Sequence, residues 1–285
     1  MNLHYLILTS GNDLQESAVA DLVRSRTGAR LVRVEVPRKA SAKLEPDAVC
    51  VRADRPDELY CMLASASRAC CVAVSAPSVA PTLEFLAEHP GTANDFALII
   101  CTATPREGSQ QSAVGTLAKL ASMGVDPTRI GVVYTRTPRD ASVEQTFKQL
   151  AGYLANGPFA AICREAVLKD STAFERAREL QLPIADVLSG QVRFESALEG
   201  ARQAGEPEEL LHALARKLLA QRALTGCRVD IDKALDMLRV PHIPQQELPP
   251  AVSVTSTPPQ PHAVVLDGGV ALDETSPPNS EPLPA

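Results

Sequence analysis

A doubly wound α/β domain, its mostly parallel sheet flanked by helices, is the fold class this sequence predicts, and three observations predict it. Short runs over 70–75 and 96–102 are apolar at nearly every position, as strands covered on both faces must be. Helix-period segments of about ten residues or more separate them, the length that a crossover between parallel strands needs. The composition is 45% hydrophobic with 4% aromatic and no tryptophan, so the core rests on Val, Leu, Ile and Ala. That balance is ordinary for a globular protein long enough to bury a substantial core.

The elements follow in order. A buried strand is expected over 3–9, through Tyr5, Leu6, Ile7 and Leu8. A helix over 15–26 sets Val19, Leu22 and Val23 on one face, and Gly28 stops it. Residues 30–36 alternate Leu31, Val32 and Val34 with arginines, and Pro37 ends that strand. A helix over 56–67, capped near Asp54 or Arg55, turns Leu59, Met62 and Leu63 inward. Strand 70–75, helix 79–89 and strand 96–102 continue the alternation. A helix over 112–123 runs through Val114, Leu117 and Leu120 to Gly124, and a strand over 130–135 follows. Beyond Thr137 helices dominate, over 142–155, 171–180, 194–204, 207–224 and 230–238, with one last short strand over 159–165. Residues 1–240 are thus read as one α/β domain with a helical C-terminal part, its ligands expected outside the carboxyl ends of the strands.

The character changes at Pro241. Residues 241–285 hold 11 of the 23 prolines and five acids with no Lys or Arg, a charge of −5 out of the total −6. Such a segment buries too little apolar surface to offset its ordering entropy, and a disordered tail is expected. The remaining −1 gives no global pull toward nucleic acid. The chain has no basic leader before its first apolar run and no stretch near the roughly 20 apolar residues of a membrane span, so a soluble, cytoplasmic protein is expected. Its seven cysteines form no C-x-x-C pair and its five histidines no cluster, which predicts reduced thiols and no metal site. No G-x-S-x-G elbow is present, and no catalytic residue is assigned.

Chemistry belongs to the loop between the first strand and the first helix, Thr9-Ser10-Gly11-Asn12-Asp13-Leu14-Gln15-Glu16-Ser17. A phosphate loop stands in that place, with glycines for close backbone approach, a lysine for the β/γ oxygens and a hydroxyl for Mg²⁺. Here Gly11 alone clearly meets those needs, and Gly11-Asn12 also reads as an ordinary turn. Ser10-Gly11-Asn12, the run from Val72 to Ala80, the segment Leu120-Ala121-Ser122-Met123-Gly124-Val125-Asp126-Pro127 and the strand from Val132 to Arg136 occur in an order and spacing that resembles the plasmid-stability StbB family. That family is related to the ParA/MinD-type partition ATPases. The resemblance runs from about residue 3 to 238 and implies a P-loop NTPase-like fold, ATP and Mg²⁺ as cofactors, a small DNA-binding partition partner and self-association as a homodimer. It maps the nucleotide site onto Gly11, Asn12, Gln15, Glu16, Ser17, Ala73 and Thr135.

The departures fall on that site. Leu14, Gln15 and Glu16 stand where the family has its glycine, phosphate lysine and Mg²⁺ hydroxyl, and Ser17 keeps a hydroxyl one position late. Ala73 replaces an acidic, metal-associated position, and Thr135 an Asn near the base. Asp13 and Glu16 bring negative charge to a triphosphate site, where one like-charge pair at about 4 Å costs roughly 4 kcal/mol near a protein surface. A helix N-terminus returns only about 0.3–1 kcal/mol. ATP–Mg²⁺ is therefore disfavoured, and Glu16 is expected to settle against the helix N-terminus and stabilise an empty fold. The sequence reading is a non-catalytic, pseudo-ATPase interaction module in plasmid stability or partition. A nucleotide-dependent switch with a divergent loop, repaired by Ser17 or a second subunit, stays open at this point, as does a scaffold working through its acidic tail. Arg38, Lys39 and Lys43 in one loop, and Arg216, Lys217, Arg222 and Arg228 on late helices, are read first as solvated faces and second as contacts for DNA or a partner.

Overall fold

Seven strands form one parallel sheet in the order β3-β2-β4-β1-β5-β6-β7. They are β1 His4–Leu8, β2 Arg30–Glu35, β3 Val49–Arg52, β4 Cys70–Val74, β5 Phe96–Ala103, β6 Ile130–Thr137 and β7 Arg164–Lys169. This computed structural model describes residues 4–36, 48–159 and 164–242. The chain divides into two units, Met1–Leu248 and Pro249–Ala285, and every described residue lies in the first.

The near-continuous apolar runs have their cause in this layering. Tyr5 and Ile7 of β1 face one side of the sheet and Leu6 and Leu8 the other. On the first side α1 (Leu14–Thr27), α7 (Ala173–Glu179), α8 (Ile184–Ser189) and α11 (Arg228–Met237) pack through Val19, Leu22, Phe174, Val187, Ile231 and Leu235. On the second, α2 (Pro56–Ala64), α3 (Ala76–Glu88), α4 (Glu107–Ser122) and α6 (Lys148–Asn156) pack through Leu59, Leu83, Leu117 and Leu150. With helices on both faces, nearly every side chain of the central strands loses its water, each large aliphatic one being worth about 1.5–3 kcal/mol. Gly28 ends α1 in the left-handed region at φ 65°, its N–H returning to the Arg24 carbonyl, a conformation that costs glycine nothing.

The expected doubly wound sheet is therefore present, and most elements lie where the pattern placed them. Several boundaries are corrected. Of the strand expected over 159–165, residues 160–163 lie outside the described residues, and β7 runs on past the expected end to Lys169, with only Ala166 and Leu168 buried. The helix expected over 142–155 is two, α5 (Val143–Thr146) and α6, broken where the fully buried Phe147 leaves helical backbone. α3 and α4 begin earlier than expected, and β3 and α8 were not foreseen. Two further helices, α9 (Phe194–Gln203) and α10 (Glu208–Gly226), pack against each other near the C-terminal end of the described chain. Among the described residues no helix is long and apolar enough to cross a membrane. Arg38, Lys39, Lys43, Cys163 and residues 243–285, the bulk of the expected tail, lie outside the described residues.

Candidate functional site

The loop from Thr9 to Asp13 leaves the carboxyl end of β1, the middle strand of the sheet. Thr9 ties it to β4, its N–H and its hydroxyl both donating to the Val74 carbonyl, at 3.2 and 3.0 Å. α1 then opens on Asp13, whose Oδ1 accepts the Gln15 N–H at 2.8 Å. Three residues on, Glu16 lies in the first turn of the same helix. Asp13 is thus the N-cap of α1, its carboxylate satisfying one of the orphan donors of the first turn.

Glu16 is wholly buried. Its Oε1 accepts from the Ser10 hydroxyl at 2.6 Å and from the Thr102 hydroxyl at 3.0 Å. The Ser10 oxygen lies 2.5 Å from that of Ser109, which accepts the Thr104 N–H at 2.8 Å. An ionised carboxylate only accepts, so the chain has one direction: Thr104 N–H to Ser109, Ser109 to Ser10, Ser10 to Glu16. Glu16 Oε2 receives no hydrogen bond, and a Cβ added at Gly11 would lie 3.0 Å from it. Gly11 is therefore small because a carboxylate leans on it. Burial pushes the Glu16 pKa up against the pull of the Ser10 and Thr102 hydroxyls. The carboxylate lies in the first turn of α1, where burial acts against its charge.

A second charge system closes the same turn. Arg136, in the left-handed region at φ 52° near the end of β6, reaches Asp13 at 2.5 Å, Asp170 at 3.2 Å and Glu175. Burial works against its charge, yet Glu175 and Asp13 outweigh that and hold the guanidinium pKa above its ordinary value. This planar fork joins α1 to β6 and α7, a task that suits arginine over lysine.

The remaining predicted site residues separate into two groups. Gly11, Asn12, Asp13, Leu14, Ser17 and Ala73 line a cleft of about 390 Å³ at the carboxyl ends of β1 to β4, with Arg33, Arg52 and Arg178 also on its walls. The buried side chains of Gln15, Glu16 and Thr135 are not among its lining residues. Gln15 Nε2 donates to the Lys169 carbonyl at 2.8 Å, toward β7. Thr135 donates to the Ala103 carbonyl at 3.0 Å within the sheet, so its hydroxyl is spent on β5. The Ser17 hydroxyl donates to the Leu14 and Asp13 carbonyls of its own helix, at 3.0 and 3.2 Å. Ser109, Thr102, Arg136, Asp170 and Glu175 were missed by sequence reasoning. Only the Asp13 cap had a local signal, an Asp just before a helix-period run. A larger cavity, about 580 Å³, lies by the last turn of α1 between Arg26 and Arg228, and those arginines are engaged by Asp236 and by the Leu188 carbonyl.

No family model matches this chain, and no curated protein matches it. Among solved structures it is similar to a ParA family ATPase from Chlorobium tepidum TLS, at 13% identity and a TM-score of 0.38, covering 62% of this chain and 87% of that one. It is similar to a plasmid partition protein from Borrelia burgdorferi, at 10% identity and 0.39, covering 67% and 99%. It is similar also to the MinD cell division protein of Aquifex aeolicus, at 11% identity and 0.40, covering 79% and 97%. These likenesses are of fold, a parallel sheet flanked by helices, and bring no activity with them.

Proposed function

We propose that this chain is a StbB-like, non-catalytic member of the partition-ATPase class, an interaction module in the maintenance or segregation of a genetic element. The class comes from the sequence resemblance. The loss of catalysis is supported by one observation: at the N-terminus of α1 the chain supplies its own carboxylates. ATP and Mg²⁺ do not fit the residues present. The Asp13 carboxylate takes the Gln15 N–H, a backbone donor that a phosphate would need, Glu16 adds a second carboxylate in the same turn, Gln15 faces β7 in place of a phosphate lysine, and the hydroxyls of Ser10, Thr102 and Ser17 are already engaged. Such a fold keeps the surfaces that meet a partner while the nucleotide cycle is absent.

Calorimetric titration of the full chain with ATP and with ADP, with and without Mg²⁺, tests the reading. No heat of binding is expected at micromolar nucleotide, and a micromolar affinity or measurable turnover would overturn it. In a second arm, the full chain and a chain lacking residues 241–285 are used as baits. The DNA-binding partner is expected on both, and partners that all depend on the tail would count against the partition role.

The cleft beside the loop favours a second reading, a nucleotide-dependent switch whose anion is held by arginine rather than lysine. Arg33 is 3.9 Å from Asp21, and Arg52 pairs with Asp54 at 2.6 Å. The Arg178 side chain makes no ion pair among the described residues. Nucleotide binding abolished by Arg178→Ala would favour this reading over the first.

A further inference from the structure

We infer that α10 carries a two-fold, antiparallel self-association surface, its occupant being a second copy of this chain. α10 is nineteen residues long, yet buries only Ala220 and Leu224. Glu208, Leu211, Ala215, Leu218 and Arg222 recur along it at spacings of three, four, three and four, the seam of a helix that packs on another helix. Glu208, Ala215 and Arg222 are exposed, Leu211 and Leu218 half-buried, and the neighbouring Leu219 is 60% exposed. With α9 packed along one side of α10, Leu211 and Leu218 stay half-covered and Leu219 open, an apolar strip with room for a second partner.

The order of side chains along the seam says which partner. Read from Ala215 outward, the stripe runs to an acid at one end and to a base at the other, seven residues away in each direction. A parallel copy would oppose like with like. An antiparallel copy, rotated about Ala215, sets Glu208 against Arg222 at both ends and Leu211 against Leu218 and Leu219. The alanines then meet at the centre, where small side chains allow close approach. This is the self-complementarity that an isologous interface requires. Both end charges have local partners, Glu208 with His212 at 3.4 Å and Arg222 with Glu195 at 2.9 Å. Those pairs are solvent-exposed and exchange at little cost. A single helix face falls short of the roughly 800 Å² per partner of a standard interface, so the association belongs to the weak, concentration-dependent class. The surface uses no residue of the α1 loop, and its test needs no nucleotide.

Sedimentation velocity on the full chain over a wide concentration range reads the result. A monomer–dimer equilibrium is expected, and Leu219→Glu is expected to leave monomer alone, with circular dichroism unchanged because Leu219 is exposed. Glu208→Arg and Arg222→Glu are each expected to weaken dimerisation about tenfold, and the double exchange to restore it. Both local pairs are broken in the double exchange, so restoration reports the contact between copies. A chain that stays monomeric at every concentration, a dimer that survives Leu219→Glu, or a double exchange no better than the singles would overturn the inference.

Discussion

Glu16 carries the sharpest consequence at the scale of one residue. A carboxyl whose pKa rises on folding contributes stability that is fully present below its ordinary value of 4.5 and is lost as pH rises through the raised value. Glu16→Gln keeps the shape and removes the titration. In urea unfolding, the parent midpoint is expected to fall relative to the variant as pH rises from about 4.5 toward neutrality. Parallel midpoints, or a parent that gains on the variant with pH, would show that the Ser10 and Thr102 hydroxyls outweigh burial. Arg136 illustrates the limit of reading a sequence at this scale. Nothing near it in the chain announces its role, because Asp13 lies 123 positions away and Asp170 and Glu175 lie 34 and 39 away. Its backbone, in a region arginine rarely visits, is held there by those carboxylates.

Among the elements, legibility followed burial. β1, β4, β5 and β6 are covered on both faces and read directly as apolar runs. β3 escaped notice because it is an edge strand of four residues with Val51 its one buried side chain, and β7, the other edge, was read short at its C-terminal end for a related reason. α8 is six residues long, too short for a helical period to declare itself. At the site, the phosphate-loop comparison drew attention to what Leu14, Gln15 and Glu16 lack. The helix cap that Asp13 provides was equally visible in the letters. Gly131 of β6 offers a test of packing between elements: a Cβ there would lie 2.7 Å from Leu238 Cδ2, just past the end of α11. Gly131→Ala is expected to cost about 1–3 kcal/mol, read from denaturant unfolding. A neutral result would mean that Leu238 turns aside without penalty.

For the molecule as a whole, the centre of the sheet and the α9–α10 pair stand at opposite ends of a stability scale. Amides of β1, β4 and β5 are expected to exchange hydrogen slowest, and those over 208–219 of α10 fastest among the long helices, since no side chain of that stretch is buried. Mass-spectrometric exchange checks the order, and slowing of 208–219 at high protein concentration would accompany dimerisation. The position of β1 has a consequence for synthesis. Of the seven strands of this sheet it is made first and sits in the middle, and its two neighbours, β4 and β5, begin only at Cys70 and Phe96. A ribosome adding roughly 5–20 residues per second leaves this greasy ribbon with two bare edges for several seconds. The nascent chain must be shielded over that interval, by the exit tunnel or by a chaperone, before its founding strand can be enclosed.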